Sequence, residues 1–180
     1  IFDLNLKKLS TDLSFTDVPY EGVLSLKGEH IKTKGLSPKS WVQNLNGEII
    51  LKSEQLNIKG FDLTSIIEST KNTYSAIDAR NVALEAFGKG QLDIPLFSGI
   101  VAFNKGRATA KKMQFIFGNR VAEGSINSVM SLLDLRNKTS VRFRFMPDKR
   151  NKVNVVLNLA NLFKESFKHS INTNNIDIHK

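Results

Sequence analysis

The chain contains no cysteine, which excludes disulfides, thiolate metal sites and cysteine nucleophiles. Its histidines, His30, His169 and His179, are too few and too scattered for a two-histidine metal site. No apolar run approaches the roughly 20 residues that a membrane-spanning helix needs. Acidic residues stand singly, and 88–90 lacks the strand–loop–helix context of a phosphate-binding loop. We therefore expect a protein without catalytic activity, metal or cofactor.

Positive charge is in excess, with 26 Lys and Arg against 17 Asp and Glu, a net charge of +9. Such a surface favours anionic partners, among them acidic lipid headgroups, lipopolysaccharide phosphates and nucleic acid. A length of 180 residues fits one domain. Because the first residue is Ile1 rather than Met, we interpret residues 1–180 as a single β-rich domain cut from a larger protein. The polar stretch 170–180 is expected to be a frayed tail.

A seven-residue pattern recurs three times, as Tyr20–Leu26, Leu45–Leu51 and Phe97–Phe103. Each copy has a large apolar residue, a polar residue, glycine, any residue, an aliphatic residue, any residue and a large apolar residue. Alternation with a period of two predicts a strand with one buried face. A glycine at the same inward position each time predicts a bend or a close approach of another backbone.

Polar residues typical of turns follow the three copies, at 27–29, 52–54 and 104–106, and a second alternating segment follows each. Two helical segments are predicted in addition, one from Leu63 to Tyr74 with Asp62 as its N-cap and one beginning near residue 159. The sequence therefore predicts a mainly β fold. We expect an antiparallel meander of repeated β-hairpins forming a curved sheet or groove, with two or three short helices.

The apolar strand face allows two interpretations: a core closed by helices or a second sheet, or an open groove that contacts lipid. The candidate lipid-contacting residues are the inward ones of the three copies: Leu24, Leu26, Ile49, Leu51, Val101 and Phe103. A closed core would fit a structural or adhesive β-domain with no ligand. A basic nucleic-acid-binding domain is a further alternative. However, Phe143 and Phe145 alternate with the arginines between them, whereas a base-stacking platform needs both kinds of residue on one face.

Two passages resemble the C-terminal region of the AsmA family of bacterial envelope proteins. The stretch 45–67 is similar to that family's repeat "LxGxxxLxxxxxxIxGxDL", which leads into a short helix. The stretch 97–127 resembles the next unit, although Asp93–Pro95 replaces the threonine–phenylalanine pair before it and Ser128 replaces the aspartate of "GxVDL". The likeness covers about residues 20–145.

This resemblance implies the periplasmic domain of a bacterial inner-membrane protein, with the membrane anchor outside these residues. It implies outer-membrane biogenesis and phospholipid transport between membranes through an apolar β-groove. The implied partners are phospholipid or another anionic lipid and cell-envelope proteins, with no nucleic acid. An acyl chain of about 16 carbons exposed to water costs more than roughly 10 kcal/mol at about 0.8 kcal/mol per CH₂. A continuous apolar sheet face would remove that barrier without catalysis.

Overall fold

The computed structural model describes residues 1–8, 20–65, 81, 85–117, 122–145, 153–160 and 176–179. The strands are β1 (Phe2–Asn5), β2 (Tyr20–Lys32), β3 (Asn46–Ser53), β4 (Leu56–Phe61), β5 (Phe87–Ile94), β6 (Leu96–Asn104), β7 (Arg107–Phe117), β8 (Ala122–Ser131), β9 (Asn137–Phe145), β10 (Val153–Ala160) and β11 (Ile176–His179). Helix α1 spans Pro38–Gln43, and residues 6–8, 63–65 and 85–86 are also helical. The strands form one antiparallel sheet that curls into a half-barrel. The predicted fold class, a curved antiparallel meander, is confirmed.

If β3–β4 and β5–β6 are each counted as one bent strand, every strand pairs with its neighbours along the chain. Strand β2 pairs with β3, where Leu26 lies opposite Leu51, and also with β4, where Gly22 lies opposite Leu56. Strands β3 and β4 are therefore the two halves of one long strand, bent at residues 54–55. The run β5–β6 pairs with them in one register from Asn46 to Lys59, and the register shifts between Lys59 and Phe61. It bends at Pro95, whose missing N–H cannot join the ladder of hydrogen bonds.

Two of the three predicted turns are wrong. Strand β2 runs without interruption through 27–29, with Gly28 opposite Ile49. At 52–54 the chain bends and continues along the same neighbour instead of reversing. The turn at 104–106 is confirmed, because Lys105 and Gly106 have φ values of 46° and 77° and close the β6–β7 hairpin. Two consecutive residues with positive φ are what a two-residue type I′ turn requires.

The repeated glycine of the pattern lies opposite a bulge in the neighbouring strand at positions 47 and 99, and beside the bend at 54–55 at position 22. A Cβ atom on Gly47 would lie 2.7 Å from the carbonyl oxygen of His30. A Cβ atom on Gly99 would lie 3.0 Å from the backbone Cα of Met113. At all three places the pairing register shifts by a residue. The predicted close approach of another backbone is therefore confirmed.

The likeness between the three copies extends beyond their seven residues. The backbone conformation also recurs at the sixteenth position counted from the start of each copy. Gly35 and Gly60 hold that place in the first two copies, with φ of 138° and 78°. Lys112 holds it in the third copy with φ of 50°, and it forms the bulge between β6 and β7. An L-residue in this left-handed region is less stable than glycine would be by about 1–2 kcal/mol.

We therefore expect Lys112→Gly to stabilise the protein by roughly 0.5–1 kcal/mol, because glycine adopts positive φ without the Cβ clash. The matched control is Lys111→Gly, one residue earlier in ordinary strand geometry, which should destabilise by about 0.5–1 kcal/mol. Urea unfolding of both variants measures the two free energies. Equal losses of stability in both would contradict a strained Lys112.

Asp62 begins the helical residues 63–65, as predicted. Its carboxylate accepts hydrogen bonds from the Ser65 hydroxyl at 2.6 Å and the Ser65 backbone N–H at 3.1 Å. These two bonds lower the pKa of Asp62 below its usual value. Leu63 is buried beside it. The remainder of the predicted helix, from Ile66 to Tyr74, lies outside the described residues.

The C-terminal part differs from expectation in two places. The second helix was expected to begin near residue 159, but β10 continues through Ala160, and residues 161–175 lie outside the described part of the chain. The tail 170–180 was expected to fray, whereas Ile176–His179 form β11 and pair with β10. Its alternation of isoleucine with polar residues is typical of a strand with one apolar face, as at the edge of this sheet.

Candidate functional site

The six candidate residues share one face of the sheet. Leu26 lies opposite Leu51, and Ile49 lies opposite Val101. Directly opposed residues of antiparallel strands point to the same side, and every second residue along a strand does so too. All six candidates therefore lie on the face that carries Ile49, which we call the inner face, as predicted. The opposite side is called the outer face, and it carries Lys32 and Thr109.

Burial of the inner face differs between its two halves. In the half formed by β7–β10, Phe117 and Val155 are fully buried. The rings of Phe115, Phe117 and Phe143 pack together with centroids 5.6–5.9 Å apart. In the half formed by β2, β3 and β6, the candidate residues other than Leu51 are only half-buried. The candidate site therefore lies on the more open half of the inner face.

A cavity of about 290 Å³ opens on this half. It is lined by Ile1, Phe2, Leu26, Gly28, Ile31, Leu45, Ile49 and Phe103. Three of the six candidate residues take part, and every lining residue is apolar or glycine. Phe2 and Ile31 leave large fractions of their surfaces, 61% and 44%, exposed at its margin. Apolar, partly open concavities of this kind are typical of sites that bind apolar ligands.

A buried polar group interrupts the inner face near the start of β9. Asn137 donates a hydrogen bond to the Thr139 hydroxyl at 3.0 Å, and that hydroxyl also bonds Ser128 at 2.7 Å. The Asn137 side-chain oxygen has no hydrogen-bond partner among the described residues, although Asn137 is only 5% exposed. This group was not predicted from the sequence. The inward alternation of Asn137, Thr139, Val141 and Phe143 was the signal that could have located it.

A larger concavity, of about 970 Å³, lies mainly on the outer face where β3–β4 and β5–β6 bend. Its lining mixes charged and polar side chains, including Lys52, Glu54 and Gln114, with apolar ones such as Val23. Burying an acyl chain here would also desolvate these charged groups, which is costly. The inner cavity is therefore the better candidate for an apolar ligand.

The outer face is an ionic surface. Lys59 contacts Glu21 at 2.7 Å, and Lys111 contacts Glu48 at 3.3 Å. The hydrogen bond from Lys59 lowers the pKa of Glu21 below its usual value. Arg142 is exposed on this side while Phe143 is buried on the other, so their side chains do not share a face. That separation is the one expected for a solvated outer surface.

Among the residues that the structure describes, no three His, Asp or Glu side chains come together in a group that could hold a metal ion. In that same part of the chain no helix is long and apolar enough to cross a membrane. None of the family models, curated proteins or solved structures compared with the chain matches it. Fold and site together define a curled antiparallel sheet with an apolar inner face. Resemblance to a named family rests on the sequence motifs alone.

Proposed function

We propose that this chain is a non-catalytic, periplasmic segment of an inner-membrane-anchored envelope protein of AsmA type. In this proposal its inner face holds acyl chains during phospholipid transport between membranes and outer-membrane biogenesis. The observation that carries the proposal is the composition of the inner face. From Phe2 in β1 to Val155 in β10, no residue that the pairing registers place on it is charged.

The half-buried residues of β2, β3 and β6 have apolar surface still available to a ligand. Each CH₂ group that moves from water onto such a surface gains up to about 0.8 kcal/mol. The neighbouring inner-face residues continue this surface from strand to strand, so a chain lying across the strands meets no charge. The net charge of +9 favours anionic headgroups at the margins.

The aromatic cluster of Phe115, Phe117 and Phe143 favours a second candidate function. It fills the inner face of β7–β9 with the protein's own side chains, as a closed core would. A structural or adhesive β-domain with no ligand would be expected if β2, β3 and β6 are covered in the same way. The two candidates predict different neighbours for the same inward residues.

Site-specific photo-crosslinking in cells distinguishes these candidates. A photoreactive residue at Leu51 or Val101 should crosslink to phospholipid, because both positions are on the inner face. The matched controls are Ile50 and Ile100, which are paired with each other on the outer face one residue away. They should give little or no lipid adduct. Crosslinks from Leu51 and Val101 that form only within the protein would contradict the groove and support the closed core.

A further inference from the structure

Three connecting segments lie together at one end of the sheet, and we call them the tip. They are residues 33–45 with α1, the turn 104–107 and the loop 132–136. The three segments are in contact. The backbone N–H of Leu132 donates to the carbonyl oxygen of Gly106 at 2.9 Å. A Cβ atom on Gly106 would lie 3.6 Å from Cα of Gln43 and 3.9 Å from Cδ1 of Leu133. Segments that are distant in sequence therefore form one local surface.

The tip exposes large apolar side chains. Leu36 is fully exposed, Trp41 and Leu133 are each 50% exposed, and Leu135 is 47% exposed. Single exposed apolar residues are ordinary on a protein surface. Four on two of the three contacting segments make the tip rich in exposed apolar surface, and such surface marks sites of interaction.

The backbone holds two of these side chains in place. The indole N–H of Trp41 donates to the carbonyl oxygen of Gly35 at 2.8 Å, and Ser37 and Ser40 form a capping box that fixes the start of α1. Trp41 thus bonds the 33–36 loop, but half of its surface faces outward. Leu135 has a φ of 58°, a conformation in which a bulky side chain is strained.

The tip and the strand ends beside it are strongly basic. Residues 30–47, 102–109 and 131–138 contain seven Lys and Arg and one acidic residue, Asp134. That carboxylate lies 3.3 Å from the side chain of Arg136. The exposed apolar side chains therefore lie on segments in which positive charge is in excess.

We propose that the tip docks on the surface of an anionic lipid bilayer. Trp41 and the three leucines enter the boundary between headgroups and acyl chains, while the lysines and arginines contact lipid phosphates. Tryptophan favours this boundary because its ring is apolar and its N–H is polar. Basic residues near an anionic bilayer strengthen binding, as does buried apolar area. This inference does not depend on the proposed function of the inner face.

Other partners fit this surface less well. A stable protein interface buries about 800 Å² on each partner, usually with aromatic residues at its centre. The tip has a single aromatic residue, and its exposed apolar side chains lie on basic segments, which suits an anionic lipid surface better. Single-stranded nucleic acid binds by stacking successive bases on aromatic rings, and the leucines of the tip cannot stack.

Tryptophan fluorescence tests the docking directly, because Trp41 is the only tryptophan in the chain. With vesicles of phosphatidylcholine and 30% phosphatidylglycerol we expect a blue-shifted emission and quenching by brominated acyl chains. Vesicles of phosphatidylcholine alone should give little of either. Binding to anionic vesicles that leaves Trp41 emission unchanged would overturn the proposal. So would an emission shift with an oligonucleotide but not with vesicles.

Variants locate the binding on the tip while Trp41 remains as the reporter. The triple variant Lys34→Gln, Lys39→Gln, Lys105→Gln should bind anionic vesicles about 100-fold more weakly, at about 1 kcal/mol per basic residue. The variant Leu36→Ser, Leu133→Ser, Leu135→Asn should lose the blue shift.

Two control variants make the same kinds of change away from the tip. They are Lys52→Gln, Lys89→Gln, Arg144→Gln for charge and Val23→Ser, Leu96→Ser, Val129→Ser for exposed apolar surface. Both should bind within about threefold of the parent chain, because none of these residues is in the tip. Equal losses in tip variants and controls would mean that binding follows overall charge and would overturn the proposal.

Discussion

Replacing Gly47 with valine should prevent the chain from folding. A Cβ atom at this position would lie 2.7 Å from the carbonyl oxygen and 2.9 Å from the carbonyl carbon of His30, and 2.8 Å from Cα of Ile31. All three are backbone atoms of a paired strand and cannot move independently. The φ of 125° is also one that side-chain-bearing residues rarely adopt. We expect a cost of at least about 4 kcal/mol, a large part of the stability of a typical domain.

Gly28→Val is the matched control, one strand away. A Cβ atom there would meet only Cγ1 of Ile31, at 3.2 Å, and that side chain can change rotamer. We expect a change within about 1 kcal/mol, as at most surface positions. Circular dichroism and urea unfolding of both variants provide the comparison. A folded Gly47→Val protein as stable as the control would contradict the close packing of β2 and β3 at the bulge.

The second large effect is expected at Phe117, which is 1% exposed on the inner face. Its ring centroid lies 5.9 Å from that of Phe115 and 5.8 Å from that of Phe143. Phe117→Ala should cost about 3–5 kcal/mol, because it leaves a cavity and removes these ring contacts.

The neighbouring Ile116 provides the control, since it points to the outer face opposite Leu96 and is half-buried. Ile116→Ala should cost clearly less, about 1–2 kcal/mol, because the site is partly solvated. Chemical unfolding monitored by circular dichroism measures both values. If the two substitutions cost the same, the inner face would not be the packed face of the sheet.

Strand faces could be predicted from the sequence because alternation is a local property of the chain. Once Leu24, Ile49 and Val101 are known to alternate with polar residues, a sheet that buries one side must place them together. The glycine of the repeat was predictable for a similar reason. Its absence of a side chain at an inward position leaves room that a neighbouring backbone can occupy.

The turns could not be predicted in the same way. Residues 27–29 and 104–106 both contain a lysine and a glycine, and both look like turn sequences. Whether the chain reverses depends on two consecutive residues adopting positive φ and on the neighbouring strand available for pairing. At Gly28 the partner is Ile49, 21 positions later in the chain, and that long-range pairing keeps the strand extended.

The tip was not predictable from any local pattern. Leu36 and Trp41 lie almost 100 residues before Leu133 and Leu135, and neither pair alternates with a strand or helix period. They come together because the β6–β7 turn is held between α1 and the loop that follows β8. The six inward residues of the three repeat copies could be located from the sequence. The tip, which three separate segments form, could be located only from the tertiary structure.

With β3–β4 and β5–β6 each counted as one bent strand, every strand pairs only with its neighbours along the chain, which has a consequence for how the protein gains and loses structure. Each hairpin can form next to one that already exists, so the cost of closing long loops stays small and folding can proceed stepwise. Stability is then close to a sum of terms between adjacent strands, as in repeat proteins. Backbone amides in the central strands β6–β8 should exchange with solvent most slowly. Exchange should become faster toward β1 and β11, so the sheet opens from its two edges inward.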